Sequence, residues 1–125
     1  KFTISLTQNP LSHQQGIRHR TDRWGKTTTY KDSRLASHQA ELAMLMRVQA
    51  NRVNFERIEG LYSIKFHLVL ANRKHADMDN MEKTLIDAFE GLLYGNDKFC
   101  REKHTRIDYD KANPKLEVEV EPFID

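Results

Sequence analysis

Two carboxylates, Asp77 and Asp79, stand two residues apart where an alternating apolar stretch gives way to a helical pattern. In extended backbone, residues two apart point to the same side, so both carboxylates can face one point. Backbone amides at a helix start favour negative charge there. Lys83 follows Asp79 by four residues and lies beside it on the helix surface. Carboxylates packed together repel one another unless a cation stands among them. Hard divalent cations accept such oxygen ligands, and Mg²⁺ usually keeps several waters as well. An ion held there could activate water and clamp phosphate oxygens. Asp97 is a third carboxylate, in a turn after Gly95-Asn96. A helix of about 20 Å separates it from Asp77, so the chain must double back, or a second subunit must supply it. Each residue also has a plainer role: Asp79 as an N-cap with Glu82 completing a capping box, Asp77 as a loop carboxylate, Lys83 as a surface ion pair.

The elements that must position these groups follow from hydrophobic period. Phe2, Ile4 and Leu6 alternate with polar residues and predict a half-buried strand rather than a leader segment. Residues 11–26 are polar and basic and read as a long loop of the kind that binds something. Thr27–Tyr30 is β-branched and predicts a short strand. From Ser33 to about Val48 the spacing of Leu35, Leu42, Leu45 and Met46 is helical. Tyr62, Ile64, Phe66, Leu68 and Leu70 alternate with Ser63, Lys65, His67 and Val69, which predicts a central strand with one wetter face. A helix is expected from Asp79 to about residue 93, with Met81, Leu85, Ala88, Phe89 and Leu92 as its apolar side. Weak alternation at 105–110 and strong alternation at Leu116, Val118 and Val120 predict two more strands, the last edge-like with an acidic face. The order predicts a single α+β domain over 1–125, with a mixed or antiparallel sheet packed against two main helices.

Composition narrows the possibilities. The 125 residues make one domain with a real core and exclude a TIM barrel. One cysteine, Cys100, excludes a disulfide framework, and the scattered histidines lack zinc-site spacing. No run of 18 apolar residues exists to span a membrane. The net charge of +2 conceals a partition. Residues 1–50 carry eight Lys/Arg against three Asp/Glu, residues 51–76 five against two, and residues 77–125 seven against thirteen. Basic groups around an acidic centre suit an enzyme that attracts phosphates and holds a metal among them; ordinary solvated surface is the alternative.

Asp77-Met-Asp-Asn-Met-Glu-Lys83, then Asp87-Ala-Phe-Glu-Gly91, then Tyr94-Gly-Asn-Asp97, resembles the RusA family of Holliday-junction resolvases. The resemblance implies a small homodimeric endonuclease of phage or prophage type, acting in the cytoplasm of a bacterial or infected cell. It implies symmetric, ligatable cuts in four-way DNA with Mg²⁺ or Mn²⁺. It places the catalytic metal-binding carboxylates at Asp77, Asp79 and Asp97, and the essential lysine at Lys83. The chain departs from the pattern in three places. Asn96 replaces an acid beside Asp97, Ala76 stands where a basic residue often precedes the first Asp, and Asn9-Pro-Leu-Ser12 replaces a Pro-Pro-Ser-Asn-like run.

Arg18, Arg20, Arg23 and Lys26 in the basic segment are candidate contacts to a DNA backbone, as are Arg73, Lys74 and His75 beside the acidic residues and Lys98 and Arg101 after Asp97. Trp24 could stack on an unpaired base or pack in a core or dimer interface. Two other functions fit the same residues: a phage endonuclease acting on flaps or forks, and a DNA-binding protein that keeps the fold without catalysis.

Overall fold

The structure, a computed structural model, describes residues 1–13, 17–21, 23–31 and 33–124; of 17–20 and 28–31 it describes the backbone. The elements are β1 (Phe2–Ser5), β2 (Ile17–Thr21), β3 (Thr27–Lys31), α1 (Ser33–Arg52), β4 (Tyr62–Leu70), α2 (Met78–Phe89), β5 (Cys100–Tyr109) and β6 (Lys115–Pro122). One mixed sheet has the order β1-β6-β4-β5. β6 is antiparallel to β1 and β4, while β4 is parallel to β5. Parallel neighbours cannot be joined by a hairpin. The chain therefore crosses over between β4 and β5, and α2 is the crossover.

The fold is the expected α+β domain, a four-stranded mixed sheet packed against two helices. Tyr62, Ile64, Phe66, Leu68 and Leu70 of β4 are buried, as are Leu116 and Val118 of β6 and Phe2 and Ile4 of β1. They meet Leu42, Met46 and Ala50 of α1 and Met81, Leu85 and Phe89 of α2 in one core. Each such large side chain contributes about 1.5–3 kcal/mol by leaving water. The wetter side of β4 carries Ser63, Lys65 and His67; His67 lies in register with Glu117 of β6 and Arg106 of β5.

Three expectations change. Part of the supposed loop at 11–26 is β2, which pairs with β3 from Ile17↔Lys31 to Thr21↔Thr27. Its sequence, Ile-Arg-His-Arg-Thr, shows no apolar alternation, and the two strands form a sheet of their own, apart from the four-stranded one. β6 is an interior strand, since β1 adds outside it; its glutamates reflect an open sheet face rather than an edge. Finally, α2 begins at Met78 with Asp77 in the N-cap position, so Asp79 is inside the helix and is not its cap. No helix among the described residues is long and apolar enough to cross a membrane.

Candidate active site

The outer side of α2 and the start of β5 enclose an open cleft of about 290 Å³, lined by Lys83, Ile86, Asp97, Cys100, Arg101 and Lys103. How Asp97 arrives there is visible in the chain after α2. Phe89–Leu92 forms a tight turn: Glu90 has φ −63° and ψ 133°, Gly91 has φ +84°, and the Leu92 N–H donates to the Phe89 carbonyl at 3.1 Å. A positive φ at the third position of such a turn favours glycine. Tyr94 then anchors the returning chain. Its hydroxyl donates to the Ile86 carbonyl at 2.7 Å and its ring stacks on Tyr62 with centroids 4.4 Å apart. Burial pushes both phenols well above their ordinary pKa, so they stay neutral and act as packing. The chain doubles back within one subunit.

Asn96 starts a single 3-10 turn, Asp97–Phe99, and its side-chain oxygen accepts the Lys98 N–H at 3.0 Å. The residue that departs from the resembled pattern is thus a cap that holds Asp97 in place. Glu90 helps from the other side, its Oε1 accepting the Asp97 N–H at 3.3 Å.

Lys83 Nζ lies 3.2 Å from Asp97 Oδ2 and 3.2 Å from Asp87 Oδ1. Burial pulls the Lys83 ammonium toward deprotonation, but hydrogen bonds to Asp87 and Asp97 outweigh it and raise its pKa. Lys83 is therefore a cation at neutral pH and not a base. Asp87, Glu90 and Asp97 each offer an oxygen, and the three atoms lie within 4.8 Å of one another. An all-oxygen set suits a hard cation such as Mg²⁺ or Mn²⁺ better than a soft one.

Asp77 and Asp79 are exposed at the first turn of α2, and neither belongs to that close group. Since Asp79 is helical, the same-side argument for extended backbone does not apply to this pair. The Lys103 ammonium is held above its ordinary pKa first by its hydrogen bond with Glu82, with a smaller contribution from the negative charge of Asp79. Glu82 corrects the expected capping box. It is buried, it accepts from the Thr105 hydroxyl, and its other oxygen lies 2.9 Å from Lys103 Nζ. It ties α2 to β5. Asp87 and Glu90 were the members of the carboxylate group that spacing alone did not single out as ligands. Their signal was the i, i+4 and i+7 relation to Lys83.

The expected DNA-contacting residues fall in separate places. Arg101 lines the cleft and Lys98 is exposed beside it. Arg73 stacks over Tyr109 at 4.3 Å, and His75 Nε2 lies 2.7 Å from the Tyr109 hydroxyl, at the far end of β5. Asn9 and Asn72 hold the Lys74 backbone, the Asn9 side-chain amide donating to its carbonyl at 3.0 Å. Arg23 stacks over Trp24, which is 76% exposed and so is not a core residue of this chain. Lys26 is exposed in the same turn. The side chains of Arg18 and Arg20 lie outside the described residues.

The site therefore belongs to a mixed-sheet domain whose crossover helix carries acids and a lysine beside a candidate cation-binding carboxylate cluster. Residues 10–121 match the family described as endodeoxyribonuclease RusA. The chain belongs to the RusA family. No curated protein matches it.

Proposed function

We propose that the protein is a metal-dependent endodeoxyribonuclease that cuts branched DNA, four-way junctions first, as a homodimer in the cytoplasm of a bacterial or phage-infected cell. The observation that carries this is the Lys83 ammonium held between Asp87 and Asp97, with Glu90 beside them, in a chain of the RusA family. Residues 1–125 act as one endonuclease domain.

Asp97 and Asp79, with Asp77 at the start of α2, are the ligand set carried by the family motif; Asp87 and Glu90 border Asp97. A divalent cation held by these carboxylates would supply activation of the attacking water and neutralisation of charge on the scissile phosphate. The chain's own groups do the rest. Lys83 places a fixed positive charge where negative charge grows on the phosphate oxygens. Lys98 and Arg101 lead one strand of the backbone toward the cleft, and Arg73, Lys74 and His75 meet it at the far end of α2 and β5. Arg18, Arg20, Arg23 and Lys26 form a basic hairpin for a second arm of the junction. Two-fold-related active sites suit two opposed cuts on a two-fold-symmetric substrate.

The test is cleavage of end-labelled four-way DNA beside flap and linear duplex controls, with Mg²⁺ and separately with Mn²⁺. Asp77→Asn, Asp79→Asn and Asp97→Asn run in parallel. Symmetric metal-dependent nicks near the crossover, lost in all three variants, are expected. A preference for flaps or forks would keep the chemistry and change the substrate. Tight junction binding without cutting under either metal would overturn the enzyme.

A further inference from the structure

We propose that His13 is a positioning residue of the active site: through Asp87 it fixes where the Lys83 ammonium stands. The inference rests on the reading of Lys83 given above. His13 Nε2 lies 2.9 Å from Asp87 Oδ2, while Lys83 Nζ lies 3.2 Å from the other oxygen, Oδ1. One carboxylate is thus held at both oxygens, by His13 on one side and by the catalytic cation on the other. His13 and Asp87 are each about four-fifths shielded from solvent, and Lys83 is the more open partner.

The imidazole is not there by a loose surface encounter. The segment that carries it is fastened along α2. The Thr84 hydroxyl donates to the Leu11 carbonyl at 2.7 Å, and the His13 N–H donates to the Asn80 carbonyl at 3.3 Å. Thr84 is itself held, its carbonyl accepting from Gln39 Nε2 at 3.1 Å. Asn80, Thr84 and Asp87 lie at i, i+4 and i+7, so they form one stripe of the helix, and the segment follows it. Asp79, Lys83 and Asp87 form the neighbouring stripe, from which Lys83 lines the cleft. Asp87 belongs to both. It is the point at which the docked segment touches the active site.

The consequence lies in how Lys83 is shared. Its ammonium divides itself between Asp87 and Asp97 at equal distances. A cation that takes Asp97 together with Asp77 and Asp79, the ligand set of the proposed function, would leave Lys83 with Asp87 alone. A lone carboxylate turns about its last bond, and a lysine has a long flexible stem. With one oxygen already engaged by His13, the Asp87 carboxylate cannot turn, so Oδ1 keeps its place and the ammonium with it. An Nε2–H donor suffices for this in either protonation state of the ring. A ring that only fastens the segment would affect stability and leave turnover alone.

The experiment compares His13→Met, similar in size without a donor, and His13→Gln, which keeps a donor at a similar reach, with Asp87→Asn and the His13→Met/Asp87→Asn double variant. Single-turnover cleavage and binding of a four-way junction are measured. In metal-free protein, acylation of Lys83 is followed by peptide mass spectrometry, and melting reports folding. His13→Met is expected to cut about 10-fold more slowly, with affinity within about two-fold and melting preserved. His13→Gln is expected to recover most of the rate. The double variant should be no slower than Asp87→Asn alone, because the two residues act in series. Lys83 in His13→Met should acylate several-fold faster than in the parent, and in His13→Gln at the parental rate. Full-rate cutting by His13→Met, or multiplicative losses in the double variant, or unchanged Lys83 labelling would overturn the inference. Full-rate cutting by Lys83→Met would instead overturn the reading of Lys83 itself; the labelling in metal-free protein separates the two failures.

Discussion

Asp97, fourteen residues beyond Lys83 in the chain, meets it at 3.2 Å across the mouth of the cleft. The contact joins the middle of α2 to the turn that launches β5, and it exists only because the chain reverses after Phe89. Lys83→Met should lower junction cleavage by about 10²–10³-fold, the scale for losing one preorganised charge at a developing oxyanion. Lys83→Arg should recover little, since a planar fork does not replace a point charge set between two carboxylates. Single-turnover rates measured beside binding affinity check this, and binding should change far less than rate.

The reversal itself depends on Gly91. Nothing lies within 4 Å of a Cβ added there, so only the positive φ resists a side chain. Gly91→Ala should therefore cost about 1–2 kcal/mol, the penalty for an L-residue in the left-handed region. Activity should fall further than stability predicts, because the same turn aims Asp97. Urea unfolding and cleavage rates on one preparation give both numbers.

Glu82 and Thr105 make a second prediction about α2 and β5. Thr105→Val removes the donor and leaves a buried carboxylate oxygen unpaired, which should cost about 1–3 kcal/mol. Replacing both, as Glu82→Leu with Thr105→Val, should restore much of the loss, because an apolar pair needs no partner. Lys103 loses its anchor in the double variant, so stability and cleavage should part company there. Chemical denaturation and single-turnover assays test the two halves.

Much of this arrangement was legible in residue types and spacing. The β4 alternation announced a central strand because five inward residues fill one core. The α2 stripe was equally plain, since Met81, Leu85 and Phe89 recur at the period of the helix. β3 was legible from its β-branched run at Thr27–Tyr30, but its partner β2 was not, because Ile-Arg-His-Arg-Thr carries no apolar alternation. The Glu82 role was hidden for a different reason. A glutamate three residues after an aspartate at a helix start fits a capping box, and only the approach of β5 shows that it turns inward to Thr105. Asp87 stands one helical turn beyond Lys83, which makes their pairing legible, yet His13 stands 74 residues away in sequence, and no local pattern reveals such a pair.

Acid should destabilise the open sheet face. Hydrogen bonding to His67, helped by Arg106, holds the Asp108 carboxyl below its ordinary value of 3.8. Hydrogen bonding to Lys1, with His67 as a second partner, holds Glu117 below its ordinary 4.5. A depressed folded pKa means that the unfolded chain takes up protons first as pH falls, so stability falls with it. The contribution of both groups is complete above those ordinary values and is lost as pH drops through the depressed ones. Asp108 is half-open to solvent and Glu117 is largely shielded beneath Lys1, so the Asp108 share is small and salt-screened and the Glu117 share is the less screened of the two. Melting temperatures at about pH 6 and about pH 3 should differ less in Asp108→Asn/Glu117→Gln than in the parent.

Salt dependence distinguishes the cations that guide DNA from those that serve the chemistry. Arg101 lines the cleft in an exposed position, while Arg73 is braced on the Tyr109 ring at the opposite end of β5. If each meets one phosphate, Arg101→Ala and Arg73→Ala should each reduce the slope of log K against log salt by about 0.9. The loss should be uniform across junctions of different core sequence, because phosphate contacts carry no base information. Lys83→Met should leave the slope nearly unchanged, since its ammonium is already neutralised by Asp87 and Asp97 before DNA arrives and few counterions are released on its account. Binding titrations at several salt concentrations, in Ca²⁺ to hold back cutting, read all three slopes. An unchanged slope in Arg73→Ala would confine the DNA path to the Arg101 side of the cleft, and equal reductions in both variants would run it along the whole length of α2.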